Sequence, residues 1–431
     1  MLDLLVIGAG LTGLTAALVA ADAGQRVRVI AAGWGSLHWT PGTLDLLGYL
    51  PDDTPPNHTP VDAPLAAIER LPADHPLRQV GGEPSGPAVQ AALAGLAQRL
   101  NDAGLTYVGA GSDANLHLPS PVGAPRPVYL APIAQAAGRL DDPAPMLIVG
   151  FDGMRDLYPG LLADNLNRQG HAARSHTLPL TLITARRDSN TVQLAGALET
   201  PAARAALARA LRDIVARGER IGLPAILGLD RHAEVWSELL DRVAAPIFEI
   251  PTLPPGVPGI RLHRTLVRLL EQRGVRVEAN MTAVDFGVEQ DRIAWVATAT
   301  AARPLRHTAT NILLATGGVL GGGFNSDPTG RMWETVFDLP LTVPQDRAAW
   351  FDWLFLSPAG QPVFSGGVPV TPDFRPARGD GAPVYANLWA AGNLLAHADG
   401  IRTRSREAIA VATATAAVRA MLTPQPASLS A

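Results

Sequence analysis

The sequence predicts an α/β fold, a parallel sheet with helices on both faces, and a second α/β domain inserted into it. Three observations carry this. A short apolar run, Leu4-Leu5-Val6-Ile7, leads directly into Gly8-Ala9-Gly10-Leu11-Thr12-Gly13 and then into a proline-free apolar stretch. Far down the chain, two more apolar runs end in glycines, at Leu314-Ala315-Thr316-Gly317-Gly318 and at Trp389-Ala390-Ala391-Gly392-Asn393. Between 141 and 259 a separate series of strand-like and helix-like segments occurs, beginning with Met146-Leu147-Ile148-Val149-Gly150.

In chain order, Leu4–Ile7 is continuous and apolar, as a strand covered on both faces must be. Leu11–Ala23 reads as a buried helix stopped by Gly24, and Arg26–Ile30 as the next strand; a β-α-β unit makes the pair parallel. Pro51–Pro87 is crowded with proline and aspartate and reads as an irregular excursion. A helix follows over about 87–103, and Leu116–Pro132 reads as extended. Ala202–Arg217 is helical, while Ile221–Leu229 and Ile247–Ile250 are strands. Pro251-Thr252-Leu253-Pro254-Pro255 breaks the chain and marks a domain crossing. Then come a helix over Leu262–Arg273, a strand over Val275–Glu278, and alternation from Thr282 to Thr300 that predicts an antiparallel meander. Asn311–Thr316 and Asn387–Ala391 are further strands. An alanine-rich helix over about Glu407–Met421 and a frayed polar tail end the chain. The domain expectation is therefore 1–140 with 260–431 as a discontinuous cofactor-binding domain, and 141–259 as an inserted domain.

Composition narrows the chemistry. All 35 basic residues are arginine, and lysine and cysteine are both absent. That excludes Schiff-base catalysis, a phosphate-loop lysine, thiolate nucleophiles and cysteine-held iron–sulfur or zinc centres. Redox chemistry would need a bound organic cofactor or a partner chain. A net charge of −4 gives no general affinity for nucleic acid. The ten histidines show no metal-binding spacing, so no metal is expected. Asp3 and the early glycines argue against a signal peptide, and no run approaches the roughly 20 residues of a spanning helix, so the chain reads as soluble and unprocessed.

The GxGxxG pattern has a physical reading in its strand–helix setting. Gly8 permits a tight turn, Gly10 lets a pyrophosphate approach the backbone, and Gly13 lets helix and strand pack closely; the helix N-terminus supplies unpaired amides. By itself this fingerprint favours FAD. The carboxylate that usually follows the second strand for a ribose hydroxyl is missing, its place taken by Ala31-Ala32-Gly33. The ribose is then held by main chain and Ser36, or the ligand lacks the adenosine half. Thr316-Gly317 and Gly392-Asn393 join Gly8, Gly10, Leu11, Thr12 and Gly13 as candidate cofactor contacts. Arginines beside motif elements, Arg126, Arg261, Arg402 and Arg404, are candidates for a substrate phosphate or carboxylate.

The loop Ser36-Leu37-His38-Trp39-Thr40-Pro41-Gly42-Thr43-Leu44-Asp45-Leu46-Leu47 resembles a signature of the anaerobic glycerol-3-phosphate dehydrogenase B-subunit family, flavoproteins of the two-dinucleotide-binding-fold class. Ile148–Gly153, Ala315–Gly318, Asn387–Gly392 and, more specifically, Pro251-Thr252-Leu253-Pro254-Pro255-Gly256-Val257-Pro258-Gly259-Ile260-Arg261-Leu262 agree in order. The resemblance implies a Rossmann-like flavin-binding domain. It also implies oxidation of sn-glycerol 3-phosphate to dihydroxyacetone phosphate, with electrons reaching a quinone. The partners it implies are a catalytic A-subunit, together with an iron–sulfur, membrane-attached C-subunit, which would hold the chain peripherally at the inner membrane.

Family descriptions assign FMN, against the FAD of the fingerprint. The resemblance places Ser36, Leu37, His38, Thr40 and Gly42 along the flavin ring, with His38 as a ring contact or covalent tether; His38 and the motif-flanking Arg126 and Arg261 form the candidate catalytic set. The chain departs from the family at Ile401-Arg402-Thr403-Arg404-Ser405-Arg406, where a glycine-rich stretch is usual. Two other readings stay open: a self-contained flavin oxidoreductase for another small substrate, and a non-catalytic assembly protein of the same complex that has lost tight flavin binding.

Overall fold

The computed structural model describes residues 1–423 except 53–58, 112, 187–188, 301–302, 356 and 358; the tail expected to fray lies outside them. The chain falls into two compact units, one of Met1–Ser36, Tyr49–Leu96 and Leu266–Ala431, the other of Leu37–Gly48 and Ala97–Thr265. The second unit thus takes in residues 37–48 and 97–140 along with the 141–259 segment. Hydrogen bonding explains the short piece: Leu44 and Leu130 exchange main-chain bonds of 2.8 and 3.1 Å, and the Asn115 side-chain Nδ2 donates to Leu47 O at 3.0 Å.

The first unit is built on a five-stranded parallel sheet. Its strands are β1 (Leu2–Ile7), β2 (Val27–Ile30), β3 (Arg276–Glu278), β4 (Ala309–Leu314) and β5 (Leu388–Ala390), in the spatial order β3-β2-β1-β4-β5. β1 lies at the centre, and Leu4, Leu5, Val6 and Ile7 are buried, as their unbroken apolar run requires. Helix α1 (Leu11–Asp22) returns from β1 to β2. It packs extensively against α2 (Arg406–Leu422), whose alanines and threonines allow the two helices to lie close. The alternating segment forms Ala283–Glu289, Arg292–Thr298 and Leu305–His307, antiparallel as expected.

The second unit has its own four-stranded parallel sheet, ordered Ile247–Ile250, Arg220–Pro224, Met146–Phe151, Ala173–Leu178. The strand expected over Ile221–Leu229 ends at Pro224, and Ala225–Leu229 is buried or half-buried connecting chain. The helix expected from Leu262 begins at Val257 and runs to Gln272. Proline in the first turn of a helix loses no hydrogen bond, so Pro258 is compatible with the earlier start.

Two glycines hold β1 and α1 together. A Cβ on Gly13 would lie 1.9 Å from the carbonyl oxygen of Gly8, and one on Gly8, at φ +123°, would lie 2.2 Å from Ala315 O. Gly13→Ala is therefore expected to destabilise the protein by roughly 3 kcal/mol, the upper range for forced overpacking. Gly10→Ala, with nothing within 4 Å of the new methyl, should melt like the parent. Urea denaturation of the two variants checks this, and equal midpoints would refute it.

Candidate functional site

In the first unit the predicted contacts converge where β1, β4 and β5 end. Helix α1 begins after Gly10 with no side-chain cap and no acidic residue in its first turn, so its leading amides face outward without a built-in partner. The space above Gly10 is open. Around it the backbone closes in. A Cβ on Gly35, at φ +71°, would meet Gly10 Cα at 2.8 Å, and one on Gly392, at φ +80°, would meet Thr12 Oγ1 at 2.1 Å. Gly392 N donates to Thr413 Oγ1 at 2.8 Å, which ties β5 to α2. The hydroxyl of Thr316 is buried without a partner among the described residues.

This cradle suits a dinucleotide diphosphate: free helix-start amides, positive end of the helix dipole, and no described atom within 4 Å of a Cβ on Gly10. Leu11, Thr12 and Gly13 carry the leading amides of the helix, and Thr316, Gly317, Gly392 and Asn393 follow the neighbouring strand ends. The carboxylate missing after β2 has a counterpart one strand outward. Glu278 is in register with Ile30, but its carboxylate lies 3.5 Å from Arg28 Nε. Sequence reading missed it because strand adjacency is invisible along the chain. Ser36 is exposed and accepts from Arg406 Nη2 at 3.1 Å. Arg404 sits at φ +50°, a backbone region that favours glycine, where the resemblance expects small residues.

The second unit holds Leu37, His38, Thr40, Gly42, Arg126 and Arg261. The two long motifs wrap one another. Gly256 N donates to His38 O at 2.7 Å; a Cβ on Gly259 would lie 2.0 Å from Leu37 O, and one on Gly42 2.6 Å from the Pro258 carbonyl carbon. Thr40 Oγ1 donates to Leu37 O at 2.9 Å, and Tyr107 donates its hydroxyl proton to Gly42 O. Beneath this loop Gln135 Nε2 donates to Pro41 O at 2.7 Å, and its Oε1 accepts from Arg126 Nη2 at 3.1 Å. The buried Arg126 guanidinium also reaches Thr43 Oγ1 at 3.5 Å.

Arg261 is buried and held by a bidentate pair, Nη1 and Nη2 to Glu249 at 2.6 and 2.8 Å, with Nε donating to Gly228 O at 2.8 Å. Burial alone would raise the Glu249 carboxyl; the guanidinium outweighs it and holds the group below its ordinary value. His38, half-buried, has its Nε2 3.1 Å from Nδ1 of His263, the rings edge-to-face. His263 is in the second turn of the Val257–Gln272 helix and was not singled out in the sequence. Burial, then the Arg264 guanidinium, lowers the His38 pKa; burial and the neighbouring His38 hold His263 down to about 4.

The FAD binding domain family matches residues 3–405. In Halobacterium salinarum, the B-subunit of a probable anaerobic glycerol-3-phosphate dehydrogenase is 34% identical over 429 residues, 96% of each chain. The anaerobic glycerol-3-phosphate dehydrogenase B-subunit of Pectobacterium carotovorum is 32% identical over 409 residues, 93% of each. The chain belongs to the anaerobic glycerol-3-phosphate dehydrogenase B-subunit family. Its cofactor is a flavin, and the matching family is one of FAD binding, in line with the glycine fingerprint. The relatives are named as one subunit of several. Among solved structures, 3-ketosteroid Δ1-dehydrogenase of Sterolibacterium denitrificans has 11% identity, covers 97% of this chain and 99% of its own, and gives a TM-score of 0.42. Among the described residues no helix is long and apolar enough to cross a membrane.

Gly10→Ala should fold normally yet lose most of its flavin, because the methyl enters the space a phosphate must occupy; the ratio of flavin to protein absorbance after purification measures this. Glu249→Gln should cost about 3–5 kcal/mol by leaving the Arg261 charge buried and uncompensated. The pH dependence has a definite sign. His75, His232 and His263 fold with values near 4, against about 6.5 in an unfolded chain. Between those values the unfolded chain binds more protons, so stability falls as pH drops through that window. Below it Glu249, whose folded value is depressed, withdraws its contribution too. Melting temperature should therefore decline steadily from pH 7 to 4, and a flat profile would contradict it.

Proposed function

We propose that this chain is the flavin-dependent B-subunit of a quinone-linked glycerol-3-phosphate dehydrogenase, oxidising sn-glycerol 3-phosphate to dihydroxyacetone phosphate. The observation that carries the reading is the uncapped start of α1, open above Gly10 and crossed closely by Gly35 and Gly392, in a chain that matches its relatives nearly end to end. The diphosphate would rest on the amides of Leu11, Thr12 and Gly13, with Ser36, Thr316, Gly317, Gly392 and Asn393 beside the rest of the flavin. The bound flavin supplies two-electron chemistry at carbon and one-electron transfer onward.

The chain's own residues divide the remaining tasks. His38 accepts the hydroxyl proton, and Leu37, Thr40 and Gly42 hold its loop in shape. Arg126, fixed by Gln135, offers a guanidinium for the substrate phosphate. Arg261 acts at one remove, anchoring the helix that carries His263. The partners would be a catalytic A-subunit and an iron–sulfur, membrane-attached C-subunit; the electrons leave through the latter's cluster, because a cysteine-free chain ligates no such cluster itself. That arrangement places the chain in the cytoplasm, held at the inner membrane through its partners. The division into a flavin-binding domain (1–140 with 260–431) and an inserted substrate or partner domain (141–259) stands as a proposal, supported by the separate sheet of the second unit.

The test is the visible spectrum of the purified protein. Flavin absorbance near ~450 nm is expected to bleach anaerobically on addition of glycerol 3-phosphate. Bleaching only with another donor would transfer the proposal to a different substrate, and a colourless protein that takes up no flavin would end it.

A further inference from the structure

We propose that His263 is the positioning residue for His38, an inference that rests on the functional reading above. The geometry is specific. His38 Nε2 and His263 Nδ1 are 3.1 Å apart, with ring centroids 4.7 Å apart and planes at 84°. His263 is buried, on the Val257–Gln272 helix, whereas His38 is half-buried on the Leu37–Trp39 turn. The turn cannot drift from the helix start, because Gly256 N holds His38 O and Gly259 admits no side chain beneath Leu37 O.

Two neutral imidazoles share one proton in such a contact. In the proposed tautomer His38 donates from Nε2 to His263 Nδ1, which leaves the lone pair on His38 Nδ1, the nitrogen without a partner among the described residues. An imidazole whose far nitrogen is fixed as a donor presents its near nitrogen in one protonation state and one direction. Arg264 is the charged group that acts on both rings, and it is paired with Asp230 at 2.6 Å. It discourages a resting positive charge on the pair.

The role fits the balance of the proposed oxidation. Converting a secondary alcohol to a ketone removes two electrons and two hydrogens. The bound flavin would supply the acceptor for the carbon-bound hydrogen and its electron pair, and the oxygen-bound hydrogen would leave as a proton to His38 Nδ1. His263 Nδ1 continues to accept the Nε2 proton and so supports the imidazolium while it lasts.

The experiment compares wild type, His263→Asn and His263→Leu, with His38→Gln used to assign signals. Nitrogen-15 spectra of histidine-labelled protein should show His38 as a single Nε2–H tautomer in wild type and in His263→Asn, whose amide oxygen also accepts. His263→Leu should give mixed tautomers. With glycerol 3-phosphate and an artificial electron acceptor, the flavin-loaded Leu variant is expected to lose about tenfold or more in kcat with KM little changed, and the Asn variant to recover most of it. An Nδ1–H tautomer in wild-type His38 overturns the proposal by itself, whether or not the variants fold. So does a Leu variant with unaltered tautomer and kcat. If wild type shows the predicted tautomer but glycerol 3-phosphate does not reduce its flavin, the substrate reading fails while the coupled pair stands.

Discussion

The close crossing of β1, α1 and β4 is the constraint on which the first unit depends. Gly13 lies against the carbonyl of Gly8, and Gly8 lies against the carbonyl of Ala315, with no space for a side chain at either position. This brings the start of α1 down to the edge of the sheet, so its unpaired amides open onto a surface made of main chain. A surface suited to a dinucleotide is therefore a by-product of packing. The same contacts that bury Val6 and Leu14 leave Gly10 bare. Any side chain large enough to cap those amides internally would compete with the ligand.

The second unit is ordered by a different interaction. Most of its candidate residues sit on a turn and a helix start, elements with little hydrogen bonding of their own. The buried Arg261–Glu249 pair and the glycine contacts beneath Leu37 and Thr40 fix them. In a chain without lysine, arginine performs this internal work repeatedly. Arg220 donates to the carbonyls of Ala137, Arg139, Asp142 and Ala144, and Arg204 is pinned between Glu234 and Glu238. A planar guanidinium with five donors can satisfy several carbonyls at once, which an ammonium cannot do as well. Many of these arginines are thus structural, and Arg261 shows how easily such a residue is read as a ligand contact from sequence.

Much of the first unit was legible in the chain because local patterns determine it. Unbroken apolar runs marked β1, β4 and β5, glycine spacing marked the turn into α1, and alternation marked the meander. The helix beginning at Val257 was placed five residues late, since Pro258 in its first turn is tolerated there and does not by itself mark a helix start. Ala225–Leu229 carries strand-like composition but is buried connection. The two long motifs were both noticed, yet nothing along the sequence said that they touch.

The sequence alone determined the fold class, the flavin fingerprint and the exclusion of thiol and lysine chemistry, because these follow from residue type and from spacing within about twenty residues. Tertiary structure decided the pairings across the chain: His38 with His263, Arg261 with Glu249, Glu278 beside Ile30. Such contacts join residues 12 to 248 positions apart, and the free energy that selects among them is the packing of whole elements, to which no local pattern has access.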